Sequence, residues 1–237
     1  WDVSLINNFS TLFDSRRNSQ VSSFNSDISD WNVSSGTDFS SMFYGADAFN
    51  QDIGNWDVSS GTTFSQMFLL ANVFNQNIGE WDVSSGTDFR HMFYEADAFN
   101  QDIGSWDVSS GTDFRWMFAL ADAFNQNIGN WDVSYTARLS NMFWNAELMQ
   151  SNLGFSATPT SADFNRTIFT ERTALDTAVA EWIANETAAT ETYGDINTWD
   201  VSAITDFSNL FDNKTTFNSD ISSWDVSSGT NFGSMFN

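Results

Sequence analysis

One tetrapeptide sets the frame: Trp-Asp/Asn-Val-Ser begins at Trp1, Trp31, Trp56, Trp81, Trp106, Trp131, Trp199 and Trp224, at intervals of 30, 25, 25, 25, 25, 68 and 25 residues. The segment from Phe49 to Phe74, "FNQDIGNWDVSSGTTFSQMFLLANVF", returns from Phe74 to Phe99 as "FNQNIGEWDVSSGTDFRHMFYEADAF". A unit this short cannot bury an apolar face by itself; it must find its partner surface in the units before and after it. The period therefore predicts a repeat solenoid. The chain holds 24 Phe and 11 Trp to build a core with, so it is not a disordered polyelectrolyte.

Inside a unit two periodicities coexist. Ile53, Trp56 and Val58 follow an I-x-x-W-x-V spacing similar to the L-x-x-L-x-L core of leucine-rich repeats. Trp56 and Val58 would point inward from a short strand, with Asp57 and Ser59 outward. Phe64, Met67, Phe68 and Ala71 then fall at i, i+3, i+4 and i+7, one face of about two helical turns. Gly61 lies between, where a chain leaving a strand often needs positive φ. The expected coil is a short parallel β-strand, a turn, a short helix and a return through Phe74, Asn75 and Gln76.

The whole phrase, "FNQDIGxWDVSxxTDFSxMF", resembles the BspA-like leucine-rich-repeat surface proteins, a repeat also abundant in mycoplasma surface lipoproteins. The resemblance covers nearly the whole chain. It implies a leucine-rich-repeat-like fold and a surface-displayed, adhesive or structural role.

The pattern breaks between Phe155 and Thr198. "SATPTSADFN" (156–165) reads as a polar linker. Thr173 with Asp176 reads as a capping box, and Ala174, Leu175, Ala178, Val179, Trp182 and Ile183 form an apolar stripe ending before Gly194. A helix here would cover the open start of a second array. "WDVSLINNFSTLFD" (1–14) and "WDVSAITDFSNLFD" (199–212) agree at 10 of 14 positions, as two first coils would. The expected division is a first array at 1–154, a linker and α-helical cap at 155–198, and the start of a second array at 199–237. The chain is expected to be a fragment of a longer protein of tandem modules.

Chemistry is harder to find than architecture. The lone histidine, His91, occupies a variable position equivalent to Ser41, Gln66, Trp116 and Asn141 and reads as a surface residue. No cysteine and no second histidine is present to complete a zinc site or a nucleophile–base pair. Catalysis needs one unique constellation, whereas this chain repeats its groups, so no enzyme is expected. Asp57, Asp82, Asp107 and Asp132 should form a column on an exposed face. They could bridge calcium, cap nearby backbone and Ser hydroxyls, or stand as a solvated acidic face. Asn50, Asn75, Asn100 and Asn125, with the following Gln residues, should stack as amide ladders between coils, and the Trp column should lie inside. Tyr44, Tyr94, Trp116 and Trp144 take variable positions and are the candidates for surface contacts. Sequons at Asn8, Asn32, Asn165, Asn185 and Asn213 would permit N-glycosylation.

Charge narrows the partners. With 31 acidic and 8 basic residues the net charge is −23, which repels nucleic acid and anionic membranes. No apolar run approaches a membrane span. The expectation is a non-catalytic extracellular structural or adhesive protein that self-associates in a fibre, appendage or surface layer. The alternative is a surface module binding a glycan or a host protein, as a calcium-dependent adhesin in one form.

Overall fold

The computed structural model describes residues 2–164 and 167–236. The chain forms two compact units, one up to Phe164 and one from Asn165 onward.

The first unit is built of 25-residue layers, and it corrects the leucine-rich-repeat expectation. Among the described residues there is no β-strand, only isolated parallel bridges; in the first unit these run Asn8–Asp38–Thr63–Asp88–Asp113–Arg138. They lie at the position before the first core residue of each layer, a Phe in five layers and Leu139 in the sixth, not at the Trp-Asp-Val segment where a strand was expected. That segment is spent on turns instead: the Trp56 amide bonds the Ile53 carbonyl at 3.1 Å and the Gly61 amide bonds the Val58 carbonyl at 2.7 Å. The inward–outward alternation nevertheless holds, with Trp56 and Val58 buried and Asp57 exposed.

The expected helix is absent as well. From Phe64 to Ala71 the amides alternate between two destinations. Phe64, Gln66, Phe68 and Leu70 donate to the carbonyls of Asp88, Arg90, Met92 and Tyr94 in the next layer, each at 2.9 Å. Met67, Leu69 and Ala71 donate three residues back within their own layer. Gln66 (φ 58°) and Leu70 (φ 59°) sit in the left-handed region, as do the paired positions His91 and Glu95, Trp116 and Leu120, and Asn141 and Asn145.

Spacing explains the outcome. Phe39, Phe64, Phe89 and Phe114 stack face to face at centroid distances of 5.6, 5.6 and 5.3 Å. Phe43, Phe68, Phe93 and Phe118 do the same at 5.5, 5.6 and 5.5 Å. A packed helix needs about 8–10 Å between axes; layers whose rings touch at this interval leave room for one thickness of extended or turned chain. The i, i+3, i+4 spacing thus serves a turn that directs its Phe side chains inward. Phe68 and Phe74 also stack within a layer at 4.1 Å, so the core is a set of aromatic columns.

Gly61 is needed for a different reason from the one its position suggested. Its φ is not positive; a Cβ there would lie 2.5 Å from Phe64 Cζ and 2.9 Å from the Val58 carbonyl oxygen. The glycine lets the Phe ring lie against the backbone.

The layers end at α1 (Glu147–Leu153), closed by Gly154 at φ 72°. Beyond it the chain turns back: the Phe143 amide bonds the Ala157 carbonyl at 3.0 Å and the Asn141 amide bonds Thr158 Oγ1 at 2.8 Å. These acceptors replace those a further layer would supply. Phe155 and Phe164 are buried in this unit's core, so the linker region read from sequence contributes packing as well as connection.

The second unit contains α2 (Arg172–Ala184) and α3 (Glu186–Tyr193). Leu175, Ala178, Val179 and Trp182 of the expected stripe are buried, whereas Ala174 is exposed. The capping box read at Thr173 and Asp176 does not form: the cap position is Glu171, without a side-chain bond. Asp176 instead pairs with Arg172 one turn earlier, at 2.8 Å. Asn185 separates the helices, and its side chain accepts from the Ala188 amide at 3.2 Å to start α3. Trp182 packs edge-on against Trp199, 5.8 Å between centroids, under two further layers joined by the Asp206–Asn231 bridge.

Candidate functional site

The repeated polar groups come first, because they define what is ordinary on this surface. Asp57 Oδ1 accepts from the Ser59 amide at 3.1 Å and from Ser59 Oγ at 2.6 Å. Asp82 repeats this with Ser84, and Asp107 with Ser109. The Ser hydroxyl and then the Ser amide hold the carboxyls of Asp82 and Asp107 below the usual value. Asp132 stands exposed at the fourth place of the column. Each carboxylate with a Ser partner thus forms a local Asx-type turn. Among the described residues no three His, Asp or Glu side chains converge to hold a metal ion.

The amide ladder runs layer to layer. Asn50 Oδ1 accepts from the Asn75 amide and from Gln76 Nε2, both at 2.9 Å; Asn75 serves Asn100 and Gln101, and Asn100 serves Asn125 and Gln126. Asn125 Oδ1, at the far end, is buried without a hydrogen-bond partner. The indoles of Trp56, Trp81, Trp106 and Trp131 lie inside, each Nε1 donating to the carbonyl of an Ile 28 residues earlier at 3.0–3.2 Å.

Among the sequons, Asn8 is exposed and bonds the Ser10 amide and Asp38. Asn32 is exposed and bonds Ser34. Asn185 caps α3, and Asn213 is exposed with φ 56°. Asn165 lies outside the described residues.

One place departs from the repetition. Three of the four aromatic contact candidates gather there around His91. The His91 and Trp116 rings lie parallel within 3°, 6.2 Å apart. Tyr94 is tilted against both, at 5.7 and 6.2 Å. Trp144 meets Trp116 edge-on at 5.6 Å. Tyr44 is not part of this cluster's ring contacts; it carries the Arg16 guanidinium over its face at 3.7 Å.

Basic residues border the same layers. Arg90, Arg115 and Arg138 face Asp88 and Asp113: Arg115 Nη2 lies 2.6 Å from Asp113, Arg90 Nε 3.4 Å from Asp88, and Arg138 Nη1 3.9 Å from Asp113. Burial pushes the Asp88 carboxyl up. It pushes Asp113 the same way, but hydrogen bonds from Arg115 outweigh it and hold that carboxyl low. His91 is half-buried, and burial, then the Arg90 and Arg115 charges, lower its pKa. Its Nδ1 is buried without a hydrogen-bond partner. The expectation of an ordinary surface histidine missed this; what could have shown it is that Arg90, His91, Arg115 and Trp116 replace Ser and Gln at equivalent positions of adjacent layers.

No curated protein and no solved structure matches the chain. The family described as "Mycoplasma protein of unknown function, DUF285" matches residues 1–97, 75–182 and 183–237. This is the mycoplasma repeat side of the sequence resemblance; the leucine-rich-repeat side has no support in strands or helices of the layers. By the tandem matches that run along it, the chain belongs to the DUF285 family of Mycoplasma repeat proteins of unknown function.

Proposed function

We propose that this repeat protein is non-catalytic and extracellular, with a structural or adhesive role, its tandem layers self-associating into a fibre, appendage or surface layer. The observation that carries the reading is the constant hydrogen-bond register from layer to layer. Each layer donates four backbone amides to carbonyls of the next, as Phe64, Gln66, Phe68 and Leu70 do, and three Phe columns run through the second to fifth layers, so layers of this kind can be added without a change in local stability. The carboxylate columns are engaged by their own Ser residues, which favours a scaffold over a reactive centre. Immunolabelling of intact cells with the full-length protein tests the location: signal only after permeabilisation would sink the extracellular reading. Electron microscopy of the same protein, with and without a calcium chelator, tests the assembly. Regular filaments that survive chelation are expected; dispersed monomers would overturn the fibre, and loss on chelation would give the Asp columns a metal role.

A second reading, a surface module that binds a glycan or a host protein, is favoured by one feature. The cluster of Tyr94, Trp116 and Trp144 breaks the repetition where a scaffold alone has no need to.

A further inference from the structure

We propose that the face carrying Arg90, Arg115, Arg138, Tyr94, Trp116 and Trp144 is a binding site for an acidic polysaccharide, a chain of sugar rings bearing carboxylate or sulfate groups. The inference deepens the adhesive reading and rests on it for its setting, while its chemistry stands on the face itself.

Solvent meets the basic groups of this face more than its acidic ones. Three of the chain's eight basic residues fall in successive layers at this face. Their side chains are 46%, 35% and 67% exposed, whereas those of Asp88 and Asp113 are 26% and 11% exposed. Asp113 holds the Arg115 guanidinium through Nε and Nη2 at 2.9 and 2.6 Å, which leaves its Nη1 uncommitted, while Arg90 and Arg138 stand as looser ion pairs at 3.4 and 3.9 Å. A guanidinium held as that of Arg115 is offers a paired donor edge to carboxylate or sulfate at little ordering cost. On a protein of net charge −23, these three arginines face Asp88 and Asp113, and Glu95 lies beside Tyr94, so the face is locally near neutral where the rest of the surface is strongly acidic.

An aromatic cluster lies alongside. Tyr94 and Trp144 are turned 50–64° out of the His91–Trp116 stack; Trp144 is 38% exposed, and Tyr94 and Trp116 are partly so. Sugar rings carry patches of polarised C–H bonds that lie well on the negative face of an indole or phenol. Anionic groups on the same ring would then reach the guanidinium row.

A glycan fits this face better than a second copy of the chain or another acidic protein. A folded acidic partner brings its whole surface, and most of that surface would face the Asp columns and be repelled. A thin linear polyanion touches the guanidinium row and leaves the remaining acidic surface in solvent.

Titration calorimetry of the whole chain with a heparin-derived octasaccharide, against a neutral dextran of equal length, tests the proposal. Binding should be confined to the acidic sugar and weaken as salt is raised. The double variant Arg90→Gln/Arg115→Gln should lose about tenfold or more in affinity, and Trp144→Phe, which keeps a ring against Trp116, should weaken binding while the chain stays folded at the assay temperature. Absence of binding, equal binding of dextran, affinity unchanged in both variants, or dimerisation through this face that excludes the sugar would each overturn it. These results are independent of where the protein resides, so failure here leaves the extracellular reading standing, and an intracellular location leaves the binding result standing.

Discussion

Arg172 donates through Nη2 to the carbonyl of Ser208 at 2.8 Å, and its Nη1 makes the matching bond to the Asp206 carbonyl, also at 2.8 Å. In the interior of the first unit the equivalent carbonyls, those of Asp88 and Arg90, accept from the amides of Phe64 and Gln66 in the layer before. One guanidinium on α2 therefore stands in for two backbone amides of a missing layer. Its planar fork has the two donors needed, which a lysine ammonium presents without fixed spacing.

Arg172→Ala should accordingly destabilise the second unit by about 2–3 kcal/mol, the cost of leaving acceptors of a charged donor unpaired. Arg172→Lys should recover less than half of this. Hydrogen exchange of the Phe207 and Asn209 amides, which bond the next layer, would read the loss locally. Unchanged protection in Arg172→Ala would show that water replaces the guanidinium at no cost.

Gly86 and Gly154 make opposite demands on the same substitution. An alanine Cβ at Gly86 would fall 2.4 Å from Phe89 Cζ and 2.9 Å from the Val83 carbonyl oxygen, so a ring inside the stacked column has to move. Gly86→Ala should cost about 1–3 kcal/mol as overpacking. Gly154 has φ 72° and open space around it, so Gly154→Ala should cost only the left-handed backbone penalty, about 1 kcal/mol. Urea midpoints of the two variants give the comparison; a larger loss at Gly154 would reverse the assignment of roles.

What the sequence made legible was whatever repeats. The period, the buried Trp column, the Asn ladder and the inward set of Phe, Met and Ala all follow from identical residues recurring at one interval. What it concealed was thickness. Phe64, Met67, Phe68 and Ala71 have helical spacing, and only the distance between layers decides whether a helix fits; that distance is set by ring stacking, which a single unit does not display. The strand expected at Trp56–Ser59 failed for a related reason, since its amides were satisfied by turns within the layer. Arg172 and His91 were obscure because each acts once: a residue that substitutes for a layer, or breaks a column, leaves no periodic trace. Of the contact candidates, Tyr94, Trp116 and Trp144 were found because they stand at variable repeat positions, the first two partly buried and the third exposed, whereas the arginines beside them were visible only as isolated charges.

Left-handed backbone at non-glycine residues is a recurrent cost of this layer geometry. Glu95 (φ 52°) is equivalent to Gly45 (φ 61°), so the same site already takes glycine in one layer. Glu95→Gly relieves about 1–2 kcal/mol of left-handed strain and gives back part of that through the freer unfolded chain. A net gain of about 0.5–1 kcal/mol is expected, seen as a higher unfolding temperature. A lower temperature would mean that the Glu95 side chain contributes more than its backbone conformation costs.

His91 gives the chain a pH dependence whose sign follows from its surroundings. Burial, then the facing Arg90 and Arg115 charges, disfavour imidazolium and outweigh the Asp113 charge, which pulls the other way. The folded-state pKa is therefore below the ordinary value of about 6.5 that the unfolded chain retains. Below about 6.5 the unfolded state binds the proton first, so stability falls as pH drops from there to the folded-state pKa, and the contribution levels off beyond it. The Asp82 and Asp107 carboxyls, held low by their Ser partners, act in a separate window: their contribution is present above about 3.9 and is lost as pH falls through their folded values. Urea unfolding between pH 7.5 and 5 should show the first decline, as a fraction of a kcal/mol given the half-exposed ring, and His91→Gln should flatten it. Proton NMR of the single imidazole gives the direct check: a titration midpoint above about 6.5 would reverse the predicted sign.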